Sequence, residues 1–364
     1  MARGGGRGRQ EQRAPPERRL EAGRGDSPKF FVIHVAQRTP TIYTVPRLGR
    51  PQAFQEPQRE AKEGSLNDVL GLRLLKYAAC LLLACCGALV VAVPVLGQTS
   101  AVTMVGAGDI ADCKGTGERQ TARLVARISG TVFTVGDNVQ GRGRWSEFTD
   151  CYAPTWGRFK NRTRPAAGNH EYYTSGARPY YRYFGSRAGR PGLGYYSYDR
   201  GSWHVVVLNS NCGHVRCGAG SRQLEWLKRD LAANRSRCTM AIFHHPLFTS
   251  SRSADTKEVR PFWKVLYNNR AELILNGHAH SYERFAPQTP FGRRAPERGI
   301  RQFVVGTGGT PPLNPFGARP ANSQVRNDKT FGVLRLTLRP GGYSWRFVPV
   351  AGKTFTDSGR GVCR

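Results

Sequence analysis

The sequence has few acidic residues for its length. It has 25 Asp and Glu against 55 Lys and Arg, so its net charge is +30 with neutral histidines. This imbalance excludes a mainly acidic surface and produces a positive field that attracts anions such as phosphate-bearing substrates. Charge alone does not choose between such a substrate, an anionic surface and a merely solvated exterior, and no motif indicates a specific nucleic acid.

Methionine is also scarce, since none lies between Met1 and Met104. That absence excludes an internal ATG start in this interval. Residues 1–68 are rich in Arg, Gly, Pro, Gln and Glu and lack a sustained apolar period, so they are not expected to form a core. We therefore expect either a disordered basic tail or an over-extended gene model, in which case a valine codon such as that of Val69 is the start.

Charge is absent from residues 77–97, an apolar run that follows Arg73 and Lys76. Its length lies between that of a signal-peptide core and that of a membrane span. Small residues follow it, so we expect a signal peptide or, as the alternative, a membrane anchor within residues 69–101; a buried helix is the third possibility. Either export signal predicts a secreted or cell-surface protein, with membrane contact only if residues 77–97 stay uncleaved.

The nine cysteines include no two CxxC pairs, which weighs against a structural zinc site. Three of them lie in the apolar run. The other six form an even number after an export signal, which indicates disulfides made in an oxidising compartment. Cys212 and Cys217 flank a short glycine-rich loop, so we expect them to pair. The sequence does not determine the pairing of Cys113, Cys151, Cys238 and Cys363.

From residue 102 to residue 350, apolar runs alternate with turn signals. Short apolar runs with helical patterns between them are typical of βαβ units in an α/β domain, and residues 351–364 are left as a C-terminal tail. Helices are expected at 118–128, 223–233 and 259–269. Strands are expected at 102–109, 131–137, 203–208, 239–243, 271–276, 300–305, 333–338 and 343–350, the last two as an antiparallel hairpin.

Five short segments place metal-binding side chains in turns, and three of them directly follow an apolar run typical of a strand. Ligands of open α/β sheets gather at the carboxyl ends of strands. Each segment alone is ordinary, since Gly-Asp is a common turn. Together they offer carboxylates, an amide oxygen and imidazoles, which are ligands for two metal ions. The segments are Gly108-Asp109, Gly136-Asp137-Asn138, Gly168-Asn169-His170-Glu171, His244-His245-Pro246 and Gly277-His278-Ala279-His280.

In this order, the segments resemble those of the calcineurin-like metallophosphoesterase superfamily, in particular its purple-acid-phosphatase-like secreted branch. The resemblance covers roughly residues 102–350. It implies an α/β fold, namely a sandwich of two mixed β-sheets flanked by helices with the metals at the sheet ends. It also implies a metal-dependent phosphoesterase that hydrolyses phosphate monoesters by a hydroxide bridging two metal ions, in the manner of an acid phosphatase.

The resemblance also assigns the metal ligands. The two ions are divalent or trivalent, and iron, zinc or manganese suits the imidazoles. His170, next to a ligand, would be the catalytic proton donor or would stabilise the phosphoryl oxygens, with a supporting hydrogen bond as the alternative. The implied ligands are Asp109 and His280 for the first ion, Asp137 as the bridge, and Asn169, His244 and His278 for the second.

Three further residues are candidates for substrate binding. His245 follows a ligand and would contact the phosphate, although a solvent-facing or supporting histidine is as compatible with the pattern. Asn138 follows the bridging aspartate. Arg284 extends the last segment, where a structural arginine in a salt bridge is the alternative.

Two expected ligands are missing from the first site. Purple acid phosphatases have an iron-binding tyrosine three residues after the bridging aspartate, and this chain has Gln140 there. Many other members of the superfamily have Asp-x-His in the first segment, and this chain has Ala111 in place of the histidine. We therefore expect no ferric charge-transfer colour and weaker metal binding at the first site.

Two other functions remain open at this stage. A phosphodiesterase or nucleotidase would use the same fold and the same segments. A non-catalytic basic extracellular binding module is favoured by the two missing ligands, whereas the intact Asp137, Asn169, His170, His278 and His280 argue against it.

Overall fold

The computed structural model describes residues 101–252 and 257–364. The predictions for residues 1–68 and for the export signal within 69–101 lie outside the described residues, apart from Ala101. Among the helices in the described ranges, none is long and apolar enough to cross a membrane.

Thirteen strands and five α-helices build the described part of the chain, together with short 3₁₀ and π turns. The helices are α1 (Gly117–Ala126), α2 (Asn169–Tyr172), α3 (Arg178–Phe184), α4 (Arg222–Ala233) and α5 (Arg260–Asn268). The strands are β1 (Val102–Ala107), β2 (Thr131–Thr134), β3 (Thr163–Pro165), β4 (Tyr196–Arg200), β5 (Trp203–Val207), β6 (Cys238–Ile242), β7 (Leu273–Asn276), β8 (Tyr282–Phe285), β9 (Arg301–Val305), β10 (Ser323–Asn327), β11 (Gly332–Arg339), β12 (Gly342–Pro349) and β13 (Ser358–Val362).

These strands form two mixed sheets. The six-stranded sheet has the order β13-β12-β11-β1-β2-β3, and the seven-stranded sheet has the order β10-β8-β9-β7-β6-β5-β4. In the first sheet β1, β2 and β3 are parallel and β11 to β13 are antiparallel. In the second sheet the central strands β5, β6, β7 and β9 are parallel. Parallel strands buried on both faces explain the continuous apolar runs of the sequence.

The two sheets pack face to face, and helices cover the outside of the seven-stranded sheet. One buried cluster joins Met104 and Phe133 of the first sheet to Met240 and Phe303 of the second. A second cluster packs α4 and α5 against the other face of the second sheet. The predicted sandwich of two mixed sheets flanked by helices is therefore confirmed.

The predicted helices and the long apolar strands agree with the structure to within about two residues at most ends. The elements that the sequence analysis missed are short or polar. In both β4 (YSYDR) and β10 (SQVRN) most side chains are only partly buried, and β3 has three residues. Such strands owe their pairing to neighbours far away in the sequence, which a local pattern does not reveal.

The expected C-terminal tail at 351–364 is wrong in part. Residues Ser358–Val362 form β13, which pairs antiparallel with β12 and adds the edge strand of the first sheet. The neighbouring Cys363 forms a disulfide with Cys238 at the start of β6. Alternating glycines (SGRGV) hid this strand, since they weaken the apolar pattern that identifies a strand.

Three disulfides use all six of the remaining cysteines. The expected Cys212–Cys217 pair is confirmed, and Cys113–Cys151 and Cys238–Cys363 are the other two. Since no thiolate is left among them, the alternative of a structural zinc site held by these cysteines is excluded. Disulfides of this kind are typical of proteins that leave the reducing cytosol.

Candidate metal centre

The predicted ligands meet where parallel strands of the two sheets end. Asp109 and Asp137 follow β1 and β2, which are neighbours in the first sheet. His244 and His278 follow β6 and β7, which are neighbours in the second sheet. The sandwich therefore brings two pairs of strand ends to one place, as expected for ligands in an α/β fold.

Three of these ligands have an unusual backbone conformation. The φ angles of Asp109, Asp137 and His278 are 57°, 46° and 68°. Residues other than glycine seldom adopt the left-handed region, and such strain persists at functional sites where the surroundings enforce it. The close packing is visible at Gly277, where an added Cβ would lie 2.6 Å from Asp109 Oδ2. The turns therefore keep a strained backbone that fixes the positions of these side chains.

Asp109 and His280 form the first half of the centre. His280 Nε2 lies 3.3 Å from Asp109 Oδ1, which is buried and accepts no hydrogen bond. The other oxygen, Oδ2, accepts the backbone N–H of His278 at 3.0 Å. His280 Nδ1 donates to the carbonyl of Pro312 at 3.3 Å, which leaves the Nε2 lone pair facing the carboxylate. Burial lowers the pKa of His280, but its contact with Asp109 raises that pKa by more, so the pKa lies above its usual value.

Asp137, Asn169 and His244 form the second half. His244 Nε2 lies 3.0 Å from Asn169 Oδ1 and 3.2 Å from Asp137 Oδ2. Its Nδ1 donates to the carbonyl of Val135 at 2.9 Å. Burial lowers the pKa of His244, but the charge of Asp137 and a hydrogen bond to it raise the pKa to about 9. The reciprocal contact holds the pKa of Asp137 well below its usual range against the effect of burial.

Two more imidazoles complete this half. The ring centroid of His278 lies 5.0 Å from that of His244 and 4.5 Å from that of His245. Burial and then the charge of His244 lower the pKa of His278 to about 4, so it is a neutral imidazole with a free lone pair at ordinary pH. His245 bonds to Ser210 Oγ through Nδ1 at 2.9 Å, and burial lowers its pKa as well.

Glu171 holds the loop that carries Asp137. This fully buried carboxylate accepts the backbone N–H groups of Gly168, Asp137, Asn138 and Val139 at 2.6, 3.1, 2.8 and 3.3 Å. Burial, and then the charge of Asp137, raise the pKa of Glu171 to about 8. In the sequence, Glu171 lies in the third of the five segments, and its residue type there did not indicate a role. Its function here is to join the loop after β2 to the start of α2.

His170 lies between the two halves. Its backbone N–H donates to Asp137 Oδ1 at 2.9 Å, and its Nε2 lies 3.8 Å from Asp137 Oδ2. Nδ1 donates to the carbonyl of Gly141 at 2.7 Å. Because a carbonyl only accepts, Nδ1 carries the proton and Nε2 is the atom that gains or loses one.

Gln140 takes the place of the expected tyrosine, but its amide nitrogen faces the centre. Nε2 lies 3.0 Å from His170 Nε2 and 3.2 Å from His280 Nε2, and Oε1 accepts from Thr310 Oγ1 at 3.4 Å. In this orientation Gln140 orients two histidines and offers no ligand oxygen. Ala111 is fully buried and supplies only a methyl group.

Tyr173 was missed by the sequence analysis, and it fixes the orientation of a ligand. Asn169 Nδ2 donates to Tyr173 Oη at 3.3 Å, so that Asn169 Oδ1 faces His244. The tyrosine ring also packs on His170, with centroids 4.8 Å apart, and 55% of the residue is exposed. The signal was present in the sequence, because residues four apart meet on one face of a helix.

Two of the three substrate-binding candidates lie elsewhere. The side chain of Asn138 is fully buried and donates to the carbonyl of Ala166 at 3.0 Å, so it supports the loop and does not reach solvent. Arg284 forms a two-point salt bridge with Asp357, at 2.7 and 3.2 Å, and its guanidinium lies over Trp345. The substrate-binding prediction for Asn138 is therefore wrong, and Arg284 forms the structural salt bridge that was weighed against substrate binding in the sequence analysis. His245 does lie among the clustered histidines.

The donor atoms fit cations. Asp109, Asp137 and His244 offer ligand atoms within 4.8 Å of one another, as do His244, His245 and His278. Two buried carboxylates at this distance repel each other, and Asp109 Oδ1 has no hydrogen bond, so a cation between them would stabilise the arrangement. Carboxylate, amide and imidazole donors together suit first-row metals.

Comparisons with known proteins agree with this geometry. The family model described as calcineurin-like phosphoesterase matches residues 105–282. A protein named probable inactive purple acid phosphatase 9 from Arabidopsis thaliana is 31% identical over 163 residues, which cover 39% of this chain and 24% of the relative. Purple acid phosphatase 1 from Ipomoea batatas is 30% identical over 175 residues, or 42% of this chain and 36% of the relative. The chain thus spans about a quarter to a third of the length of these curated relatives.

Among solved structures, a purple acid phosphatase from yellow lupin seeds matches with a TM-score of 0.59 and 18% identity, over 72% of this chain and 54% of that chain. A Plasmodium protein described as the anchor in the inner membrane complex matches with a TM-score of 0.54 and 12% identity, over 71% and 88%. At these identities the likeness concerns the fold alone. Over residues 105–282 the chain is therefore similar to the calcineurin-like phosphoesterases, and purple acid phosphatases are among the proteins that it resembles.

Proposed function

We propose that this chain hydrolyses phosphate monoesters with two metal ions held at the meeting strand ends. The observation that carries the proposal is the buried group of Asp109, Asp137 and His244, whose ligand atoms lie within 4.8 Å of one another. The family match and the similarity to purple acid phosphatases support the same class of reaction.

Six residues would hold the ions, whose identity (iron, zinc or manganese) is open. When bound, two such ions lower the pKa of a water molecule and neutralise the charge of the phosphoryl oxygens. Asp137 lies between the halves and has two oxygens, which suits it to bridge. The proposed ligands are Asp109 and His280 on one side, Asp137 in the middle, and Asn169, His244 and His278 on the other.

His170 supplies the proton that the leaving group needs. Its Nδ1 proton is fixed by the Gly141 carbonyl, so the reactive atom is Nε2, which faces the centre 3.8 Å from Asp137 Oδ2. A protonated Nε2 donates to the departing alkoxide, and the neutral ring then regains its proton from solvent, since the side chain is about 20% exposed. His245, oriented by Ser210, is placed to contact the phosphoryl oxygens.

The deciding experiment compares two substrates on the intact purified chain. Metal content is measured by elemental analysis, and hydrolysis of p-nitrophenyl phosphate and bis-p-nitrophenyl phosphate is followed side by side. We expect two ions per chain and faster turnover of the monoester. Faster turnover of the diester would replace the proposal by a phosphodiesterase, and two ions with no turnover of either would identify a non-catalytic binding module.

We further propose that the chain is exported. Three disulfides in the described part support an oxidising destination. Sequencing the N-terminus of the purified protein tests this, because a cleaved signal peptide gives a mature start near residues 98–102. A start upstream of residue 69 together with membrane association would indicate a retained anchor instead.

A further inference from the structure

Two adjoining cavities lie outside the metal centre, between residues 190–195 and the start of α4. Their volumes are about 570 and 390 Å³, within the range of small-molecule sites. They share Gly192, Leu193, Tyr195 and Arg222 as lining residues. None of the segments that build the metal centre contributes a lining residue to either cavity.

The larger cavity is lined by unpaired positive charge. Arg190, Arg222 and Arg229 face it, and all three are exposed. Within residues 101–252 and 257–364, none of these guanidinium groups has a hydrogen-bond or ion partner. The one acidic side chain in the lining, Glu225, is already paired with Lys228 at 2.8 Å. Arginine donates in a planar fork that matches phosphate oxygens, so this lining is suited to phosphate groups.

The geometry of α4 favours more than one anionic group. Arg222 and Arg229 are seven residues apart, which is about 10 Å along a helix axis. The two side chains leave the helix from separate points on one face, which suits a ligand with more than one anionic group. Ser221 caps the helix by accepting the N–H of Leu224 at 3.2 Å, and the helix begins at Arg222, so its positive end also faces the cavity.

An aromatic pair completes the lining. The rings of Tyr195 and Trp226 lie with their centroids 4.9 Å apart and are both half-buried. Their packing fixes one wall, so the cavity does not depend on a mobile side chain for its shape.

The cavity is joined to the metal centre by a short series of contacts. Gln223, at the start of α4, accepts the backbone N–H of Asn209 at 2.7 Å and donates to its carbonyl at 2.9 Å. The Asn209 side chain donates to the carbonyl of Leu193 at 2.9 Å. The next residue, Ser210, hydrogen-bonds His245. These contacts connect the cavity lining to the residue that orients His245.

We propose that the larger cavity is a second anion site, which binds a small molecule that carries two or more phosphate groups. Arg222 and Arg229 bind separate phosphates of this ligand, and Arg190 closes the site from the opposite loop. This site is independent of the proposed activity, because its residues and charges are separate from the metal ligands.

Calorimetric titration with methylenediphosphonate, which has two anionic groups and no hydrolysable ester, tests the site. The titration uses the full chain with the substitution Asp137→Asn, so that the metal centre contributes little to binding. We expect one binding event, which Arg222→Ala with Arg229→Ala weakens about tenfold or more through loss of charge-assisted hydrogen bonds. Methylphosphonate, with one anionic group, should bind clearly more weakly than the diphosphonate.

The matched control is Arg119→Ala with Arg123→Ala on α1, which removes the same charge far from the cavity lining. Equal weakening in both double variants would show that the overall positive charge of the protein, and not this cavity, causes the binding. That result would overturn the site. Unchanged binding in the Arg222 and Arg229 variant would overturn it as well. If Asp137→Asn does not fold, the titrations use chains that keep Asp137. The parent chain should then show two binding events, and only the Arg222 and Arg229 variant should lose one of them. Failure of phosphatase activity would leave this result unaffected.

Discussion

The two halves of the candidate metal centre differ in how their ligands are held. On the second side, His244, Asn169 and Asp137 contact one another at 3.0 and 3.2 Å, and Glu171 and Tyr173 hold the segments that carry them. On the first side, Asp109 and His280 have one mutual contact at 3.3 Å. The nearby Gln140 turns its amide nitrogen toward His280 at 3.2 Å.

The two halves therefore differ in the side chains that are able to bind a metal, and not in the geometry of their strands. Both halves begin at the ends of paired parallel strands, and both contain a ligand in the left-handed region. The first side lacks the ligand side chains that relatives have at the positions of Ala111 and Gln140. The strand ends thus offer more candidate ligands on one side than on the other, so for the proposed pair of ions we expect unequal affinities.

Substituting the residue that serves both halves should have the largest effect. Asp137→Asn keeps the shape but removes the charge that we propose to be shared by two cations. We expect activity to fall to background and metal content to fall below two ions per chain, measured by elemental analysis. Asp150→Asn, at an exposed position, is the control and should keep both. Full activity with two ions in Asp137→Asn would mean that the bridge lies elsewhere.

The next effect concerns the histidine between the halves. His170→Asn should lower kcat by about 10²- to 10⁴-fold for an alkyl phosphate, the usual contribution of a general acid. The loss should be far smaller for p-nitrophenyl phosphate, whose leaving group needs no proton. Metal content should stay at two. His214→Asn, an exposed histidine outside the ligand set, serves as the control. Equal losses on both substrates would assign His170 to binding instead.

The second half should depend on the residue that orients its amide. Tyr173→Phe removes the acceptor for Asn169 Nδ2, so the amide is free to turn its nitrogen toward the ion. We expect about 10- to 100-fold weaker binding of one ion, the range for residues that support a ligand, in a chelator competition assay. Tyr267→Phe, on α5, should leave both ions bound as before. Loss of the other ion would reverse the assignment of the halves.

The first half should respond to restoring the missing ligand. Gln140→Tyr adds a phenolate donor, so the ion that a chelator removes first should be retained longer, by about tenfold. With iron bound, this variant should also show an intense visible band that the parent chain lacks. Gln140→Phe, which has the ring without the oxygen, should gain neither property. A visible band in the iron-loaded parent would contradict the assignment of Gln140.

The smallest effect is expected at a histidine that contacts carboxylates outside the centre. His204 lies 2.8 Å from Asp199 and from Asp230, and it is buried. Burial lowers its pKa, but the two carboxylates raise it above the unfolded value. Its contribution to stability is therefore complete below about pH 6.5 and is lost as the pH rises through the folded pKa.

Denaturation of the parent chain and of His204→Gln over this pH range measures that contribution. The difference in free energy of unfolding should be largest below pH 6.5 and should shrink above it. His214→Gln should show no such trend. A difference that grows with pH would mean that His204 is buried neutral. The contrast with His244 then separates a histidine that supports folding from one that is placed for a metal.

Much of the fold and of the candidate metal centre could be predicted from the sequence, because the proposed ligands follow the ends of strands. Continuous apolar runs located β1, β2, β6 and β7, and the polar residue after each run located a ligand. The fold followed from the resemblance together with these runs. Short polar strands such as β10 were not accessible, since their partners are distant in the sequence.

The roles of individual polar side chains were harder to predict. Asn138 and Arg284 lie in or beside the segments that carry the ligands, yet one is buried against Ala166 and the other is paired with Asp357. Sequence proximity places a residue near the centre, whereas side-chain direction decides whether it faces solvent or the core. Glu171 and Tyr173 show the converse, because each acts through a neighbour and neither belongs to the ligand set.

The disulfide between Cys238 and Cys363 gives the chain an unusual resistance to being separated into pieces. It joins the first residue of β6 to the end of β13, in different sheets, across 125 positions of sequence. The arginine-rich loops between these points offer many sites to a trypsin-like protease. A single cut there would leave two fragments that remain covalently joined, and that stay together even when packing is lost. Loss of chain continuity would then become visible only after reduction.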